Sequence, residues 1–120
     1  GVVFSTAGHA VPGSLLEDFN MKFEKVYGRP ADTIFAAVGY DLMKVIEAGV
    51  LAAGSTDSTA IRDAVASLEN VQGVTSVITY KGTTGMTVRQ VSLIRVKNGD
   101  RELVAQPSPT ASLVPAPRMQ

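Results

Sequence analysis

Acid–base chemistry needs two carboxylates, or a carboxylate and a histidine, held within reach of each other and of a substrate. The acidic residues nearest to apolar sequence are Glu17, Asp18, Asp41 and Glu47. Asp41 and Glu47 are six positions apart, away from the three- or four-residue spacing that aligns side chains on a helix, so they form no pair. His9 is the sole histidine, and it stands in a Gly/Pro-rich loop directly after a strand-like run. In α/β folds the carboxyl ends of strands open on the ligand crevice, so His9 is a candidate ligand contact, with a solvated loop histidine as the plainer alternative. Ser5, Ser14 and the other serines lack a Gly-x-Ser-x-Gly setting and have only His9 as a possible base, which argues against a serine hydrolase. With no cysteine and one histidine, a transition-metal site would have to be built from carboxylates alone, and neither a metal nor another cofactor is expected. Lys81-Gly82-Thr83-Thr84-Gly85 has the letters of a phosphate loop in the wrong order, because the lysine precedes the glycines; it reads as a flexible connection. No catalytic residue is expected.

The bulk properties narrow the partners. Eleven basic residues balance eleven acidic ones in 120 residues, and no basic run is present, so there is no electrostatic footprint for nucleic acid or an anionic membrane. The length suits one domain with a modest core. Ile34 to Ala53 is long and apolar enough to raise the question of a membrane span, but Asp41, Lys44 and Glu47 interrupt it at helical spacing, which favours a buried helix. The first residues show no initiating methionine, charged region or cleavage signal, and the chain reads as an excerpt or a processed product. The absence of cysteine leaves the compartment open.

The elements that must hold these residues follow from periodicity. Gly1–Thr6 reads as a short buried strand, and Ala7–Gly13 as a loop with three breakers. Ser14-Leu15-Leu16-Glu17 fits a capping box, and Leu15, Phe19, Phe23 and Val26 recur at spacings of four, four and three, so a helix with one apolar stripe runs to Gly28. Asp32 or Thr33 caps a second helix reaching about Ala53, so apolar that it must be covered on several sides. The capping-rich loop 54–59 leads into a third helix with Ile61, Ala64, Val65 and Leu68 on one face. Val74–Tyr80 and Thr87–Lys97 are β-branched and read as strands joined by the glycine-rich connection. Asn98-Gly99 is a type I′ hairpin signal that leads into a last strand near Arg101–Ala105. The proline-rich stretch 106–120 reads as an extended or disordered tail. Strand, loop and helix in this order give an α/β class with three helices and about four short strands: residues 1–105 form a partial α/β ligand-binding domain and 106–120 the tail.

This order, with Gly39-Tyr40-Asp41 inside the long helix and Ile46-Glu47-Ala48-Gly49 further along it, resembles the C-terminal segment of the periplasmic branched-chain amino-acid-binding (Leu/Ile/Val-binding) family of ABC-transporter solute-binding proteins. Gly1–Thr6 looks like the family's strand before the cleft, Phe19–Gly28 like its helix with a Phe-x-x-x-Tyr-Gly ending, and Val91–Gly99 like its closing strand and Lys-Asn-Gly turn. Ile61-Arg62-Asp63-Ala64-Val65 resembles its segment of a helix followed by a Gly-Val-Thr-Gly strand. Where the family has a second glycine and then Phe-Asp, this chain has Ser76 and then Tyr80-Lys81, which puts the turn held by that aspartate in doubt.

The resemblance implies a type I periplasmic-binding-protein fold, of which this chain is one C-terminal fragment, in a longer protein that closes two lobes on its ligand. It implies an extracytoplasmic or periplasmic location, no enzymatic activity, a membrane permease as partner, and an amino acid or an aromatic or aliphatic carboxylate as ligand. Thr6, Ala7, Gly8 and His9 would reach the cleft at the strand end, and Phe35, Val38 and Tyr40 would supply an apolar wall, with packing the alternative role for the aromatics. Gly8, Gly13, Gly82 and Gly85 would serve as hinge positions. A sensory ligand-binding module of the same fold, in a receptor or regulator, is the alternative function, and a fragment of an α/β enzyme a more distant one. Surfaces that pack on the missing lobe would be exposed in the fragment and covered by self-association.

Overall fold

The computed structural model describes residues 1–110, so the part of the expected tail from 111 onward lies outside the described residues. The chain runs β1 (Val3–Thr6), α1 (Leu15–Tyr27), α2 (Phe35–Ala53), α3 (Ser58–Ala66), β2 (Val71–Gln72), β3 (Val77–Thr79), β4 (Val88–Arg89), β5 (Ser92–Lys97) and β6 (Asp100–Ala105). Two antiparallel three-stranded sheets result, ordered β1-β5-β6 and β2-β3-β4. The expected three helices are present. The strands number six rather than about four, because Val71–Gln72 adds β2 ahead of the first β-branched run, and Gln90-Val91 breaks the second into β4 and β5, where the chain leaves one sheet for the other.

Local signals account for most element ends. Ser14 Oγ accepts from Glu17 N at 3.2 Å, and the Glu17 carboxylate accepts from Gly13 N at 2.7 Å, which satisfies free donors at the start of α1. Gly28 closes that helix in the left-handed region at φ 70. Asp57 caps α3 by accepting from Ala60 N at 2.9 Å. The expected cap of α2 is different: Asp32 is taken by Arg29, the helix begins after Ile34 with no side-chain cap, and Thr33 Oγ1 accepts only from Phe35 N at 3.2 Å. Asn98 and Gly99 both have positive φ, 54 and 87, as a type I′ turn requires, and the β5–β6 hairpin follows from it. The turn at Tyr80-Lys81, expected to lack its stabilising aspartate, is closed by Thr83, whose backbone N–H and hydroxyl both donate to Tyr80 O.

Burial departs from the sequence reading in one consistent way. The apolar core is small: Leu16, Ala37, Val45, Ile78 and Ile94. The strand expected to be buried, β1, is an edge strand with Val3 and Phe4 exposed. On α1 the buried residue is Leu16, while Leu15 and Val26 of the expected stripe are exposed and Phe19 and Phe23 half-buried. On α2 Phe35, Leu42, Met43, Ile46 and Leu51 are all exposed, so the described residues do not supply the cover that so apolar a helix calls for. What α2 does pack on is α3: Gly49 lets the helices approach so closely that a Cβ there would lie 2.5 Å from Val65 Cγ2. At the far end, Gln106 and Pro107, assigned to the tail, stay bonded to the β4–β5 junction, with Val91 N donating to Pro107 O and Gln106 Nε2 to Ser92 Oγ.

Candidate functional site

β1 ends at Thr6, and the chain turns through Ala7, Gly8 and His9 against the base of α1. Gly8 sits in a tight place: a Cβ there would meet Leu16 Cδ2 at 3.1 Å and Thr75 Cβ at 3.4 Å. Thr6, Gly8 and His9 line one cavity of about 490 Å³ together with Glu17 and Asn20 of α1, Ile34 and Ile94. Phe35 and Val38 line a different one of about 440 Å³, together with Leu42, Val45, Ile78 and Tyr80 and the polar residues Asp41, Thr87 and Arg89. Tyr40 faces a third of about 590 Å³ between α1 and α2. There its ring lies 5.5 Å from that of Phe19, which continues into Phe23 and Tyr27. Six of the seven expected contact residues therefore fall on three concavities, and Ala7 lines none of them. One bond ties the first two groups together: Arg89 Nη2 donates to Ala7 O at 3.2 Å.

That arginine belongs to a buried polar network at the junction of α2 with the second sheet. Asp41, only 1% exposed, projects from the middle of α2. Its carboxylate accepts from Val74 N at 2.6 Å, from Thr75 N at 3.0 Å and from the Thr75 hydroxyl. Gly73 is required beside it, because a Cβ at that position would stand 2.6 Å from the carboxylate carbon. The Thr75 hydroxyl passes the chain on by accepting from Arg89 Nη2 at 2.6 Å. Arg89 Nε is buried and has no hydrogen-bond partner, an uncommon and costly state for a donor on a charged group.

Asp41 is thus neither a solvated helix charge nor half of a catalytic pair; both of its carboxylate oxygens accept from the 74–75 backbone and hydroxyl. Sequence reasoning missed this role and missed Arg89 altogether. The available signals were a lone acid in an apolar helix, which must find donors somewhere, and a lone arginine in the β-branched run 87–94. The other charges near Tyr40 are paired at the surface. Lys22 lies 2.7 Å from Asp18 and Lys44 2.6 Å from Glu47, and each ammonium has its pKa raised by the hydrogen bond and charge of its carboxylate partner. Among the described residues no three His, Cys, Asp or Glu side chains come together, and no helix is long and apolar enough to cross a membrane.

A family model for periplasmic binding proteins matches residues 1–101. The chain belongs to the periplasmic binding protein family. Two solved structures are similar to it. The leucine-binding protein LivK of Thermotoga maritima superposes with a TM-score of 0.69 at 25% identity, over 88% of this chain and 30% of that one. A protein of Rhodospirillum rubrum assigned as a branched-chain amino acid ABC transporter gives 0.71 at 29% identity, over 87% of this chain and 30% of that one. No curated protein matches. The chain thus spans 30% of the length of these structures and carries a fragment of the type I periplasmic binding fold. The proteins it is similar to are binding proteins and transport components, not enzymes.

Proposed function

We propose that this periplasmic binding protein segment belongs to the extracytoplasmic solute-binding component of an ABC importer, which holds an amino acid or a similar small carboxylate between two lobes and passes it to a membrane permease. The observation that carries the reading is the family match over residues 1–101. The concavity at Phe35 and Val38 agrees with it in kind: a largely apolar wall with a few polar groups is what a small amphipathic solute needs. Thr6, Ala7, Gly8 and His9 contribute backbone and imidazole groups at the strand end, Phe35 and Val38 an apolar wall, and Tyr40 a packing face. Gly13, Gly82 and Gly85, all at positive φ, and the tightly placed Gly8 mark the segments where the chain bends as the lobes close.

The exposed apolar surface of β1 and α2 belongs against the other lobe in the complete protein, and in the isolated segment it drives self-association. A thermal-shift screen of the full-length protein against amino acids and aromatic and aliphatic acids tests the reading. A solute at one hundred times its Kd stabilises the folded state by about 2.7 kcal/mol, which a melting curve resolves. A full-length protein whose melting temperature responds to no member of those classes contradicts it.

A further inference from the structure

We infer that Gln106 and Pro107 form a strap that makes the β4–β5 passage a fixed pivot for closure of the lobes, with Gln90 and Gln106 as its positioning residues. The inference rests on the two-lobed solute-binding reading and deepens it by separating the part of the junction that holds from the part that bends. The chain passes between the β1-β5-β6 sheet and the rest of the fold twice, from β1 to α1 and from β4 to β5. At the second passage each residue from Arg89 to Ser92 is held. Arg89 Nη2 donates to Ala7 O and Thr75 Oγ1. Gln90 Nε2 donates to Gln106 O at 3.1 Å, and Val91 N to Pro107 O at 3.2 Å. The hydroxyl of Ser92, a residue only 1% exposed, accepts from Gln106 Nε2 at 3.1 Å. At the first passage Gly8, His9 and Ala10 make no hydrogen bond among the described residues.

Gln106 takes part through both its main-chain carbonyl and its side-chain amide, so moving it off Gln90 also pulls on Ser92. Pro107 has a φ fixed by its ring, so the carbonyl offered to Val91 is carried by a stiff residue. Val91 lies between β4 and β5, outside both ladders, and its N–H needs an acceptor that sheet pairing does not supply. Bending at this passage breaks these bonds together, whereas turning about Gly8 to Ala10 breaks none. A pivot acts on the population of lobe arrangements and not on solute contacts, so its loss lowers the apparent affinity for every solute by the same factor.

The test uses the full-length protein and the asymmetry of the two glutamines. Gln90→Glu sets an acceptor against the Gln106 carbonyl and opens the strap, whereas in Gln106→Glu the Ser92 hydroxyl turns to donate to the new carboxylate and keeps it closed. Spin labels at Lys97→Cys on the β5–β6 hairpin and Ala66→Cys on α3, both exposed positions, report the distance across the junction. Without solute, Gln90→Glu should give a broader distance distribution than wild type, and Gln106→Glu should not. Calorimetric titration with leucine and with phenylalanine should show Gln90→Glu weakened about threefold or more, by one factor for both. If Gln90→Glu does not fold, the wild-type protein still decides: the Val91 amide should be protected from hydrogen exchange roughly tenfold or more beyond that of His9. A Gln90→Glu distribution as narrow as wild type, a Gln106→Glu distribution as broad as that of Gln90→Glu, unequal losses for the two solutes, or a Val91 amide no better protected than that of His9 overturns the inference. The label and exchange measurements need no solute, so a failure of every amino acid and acid to bind removes the solute-binding reading while these two still decide whether the strap holds.

Discussion

Gly73→Ala is the sharpest probe of the buried network, because the structure makes its cost depend on one neighbour. The new methyl carbon would lie 2.6 Å from the carbon and Oδ2 of the Asp41 carboxyl and 2.7 Å from Oδ1. Relief to an ordinary contact needs a shift of about 0.8 Å, and the Asp41 carboxylate is tied at both oxygens by Val74 and Thr75. A shift of that size breaks at least one of the bonds to Val74 N and Thr75 N, which are 2.6 and 3.0 Å long. Overpacking costs about 1–3 kcal/mol and the loss of a charge-assisted hydrogen bond about 1.5–3 kcal/mol. The two overlap, so about 3 kcal/mol is expected, a fall of roughly 10 °C in melting temperature for a domain of this size. Urea unfolding followed by circular dichroism reads it directly. Asp41→Ala is itself destabilising, since it strands two backbone donors, but in that background Gly73→Ala should cost under about 0.5 kcal/mol, because its clash partner is gone. An equal cost in both backgrounds, or a near-neutral single variant, refutes the reasoning.

Two further substitutions probe other parts of the fold. Gly49→Ala places a methyl 2.5 Å from Val65 Cγ2 and should cost about 1–3 kcal/mol by overpacking, with Val65→Ala restoring part of it in the double variant; urea unfolding of the three proteins checks this. Ser14→Ala removes the acceptor for Glu17 N and should cost about 1 kcal/mol, seen as faster amide exchange confined to the first turn of α1.

Element type was legible in the sequence wherever local chemistry decides it. Ser14, Gly28, Asp57 and the Asn98-Gly99 turn act through bonds or φ values within a few residues of themselves, and each does what its residue type calls for. What was not legible depends on neighbours far along the chain. The stripe of Leu15, Phe19, Phe23 and Val26 marks an apolar face, yet periodicity cannot say that no other described residue covers Leu15 and Val26. The same holds for β1, whose apolar residues read as buried and stand exposed at a sheet edge. Thr87–Lys97 has the composition of one strand, and its break at Gln90-Val91 reflects two sheets that only the tertiary structure defines. For the candidate site, the strand-end loop at Thr6–His9 was legible from its breakers. The Asp41–Thr75–Arg89 network was not, since it joins residues 34 and 14 positions apart, and its members carry no motif. Burial of so polar a chain at a helix–sheet junction is stabilising only when every group is satisfied, which is why the unpartnered Nε of Arg89 stands out.

We propose that this chain is one part of a two-lobed solute-binding protein. It is tested most directly by titrating the same solute, the best hit of the screen, into the full-length protein and into the isolated 120-residue segment by calorimetry. Saturable one-to-one binding to the full-length protein is expected, with affinity at least one hundredfold weaker for the segment, a difference of about 2.7 kcal/mol, since a cleft walled from both lobes would be incomplete in the segment. No saturable binding to the full-length protein, or equal affinity in the two, would contradict it.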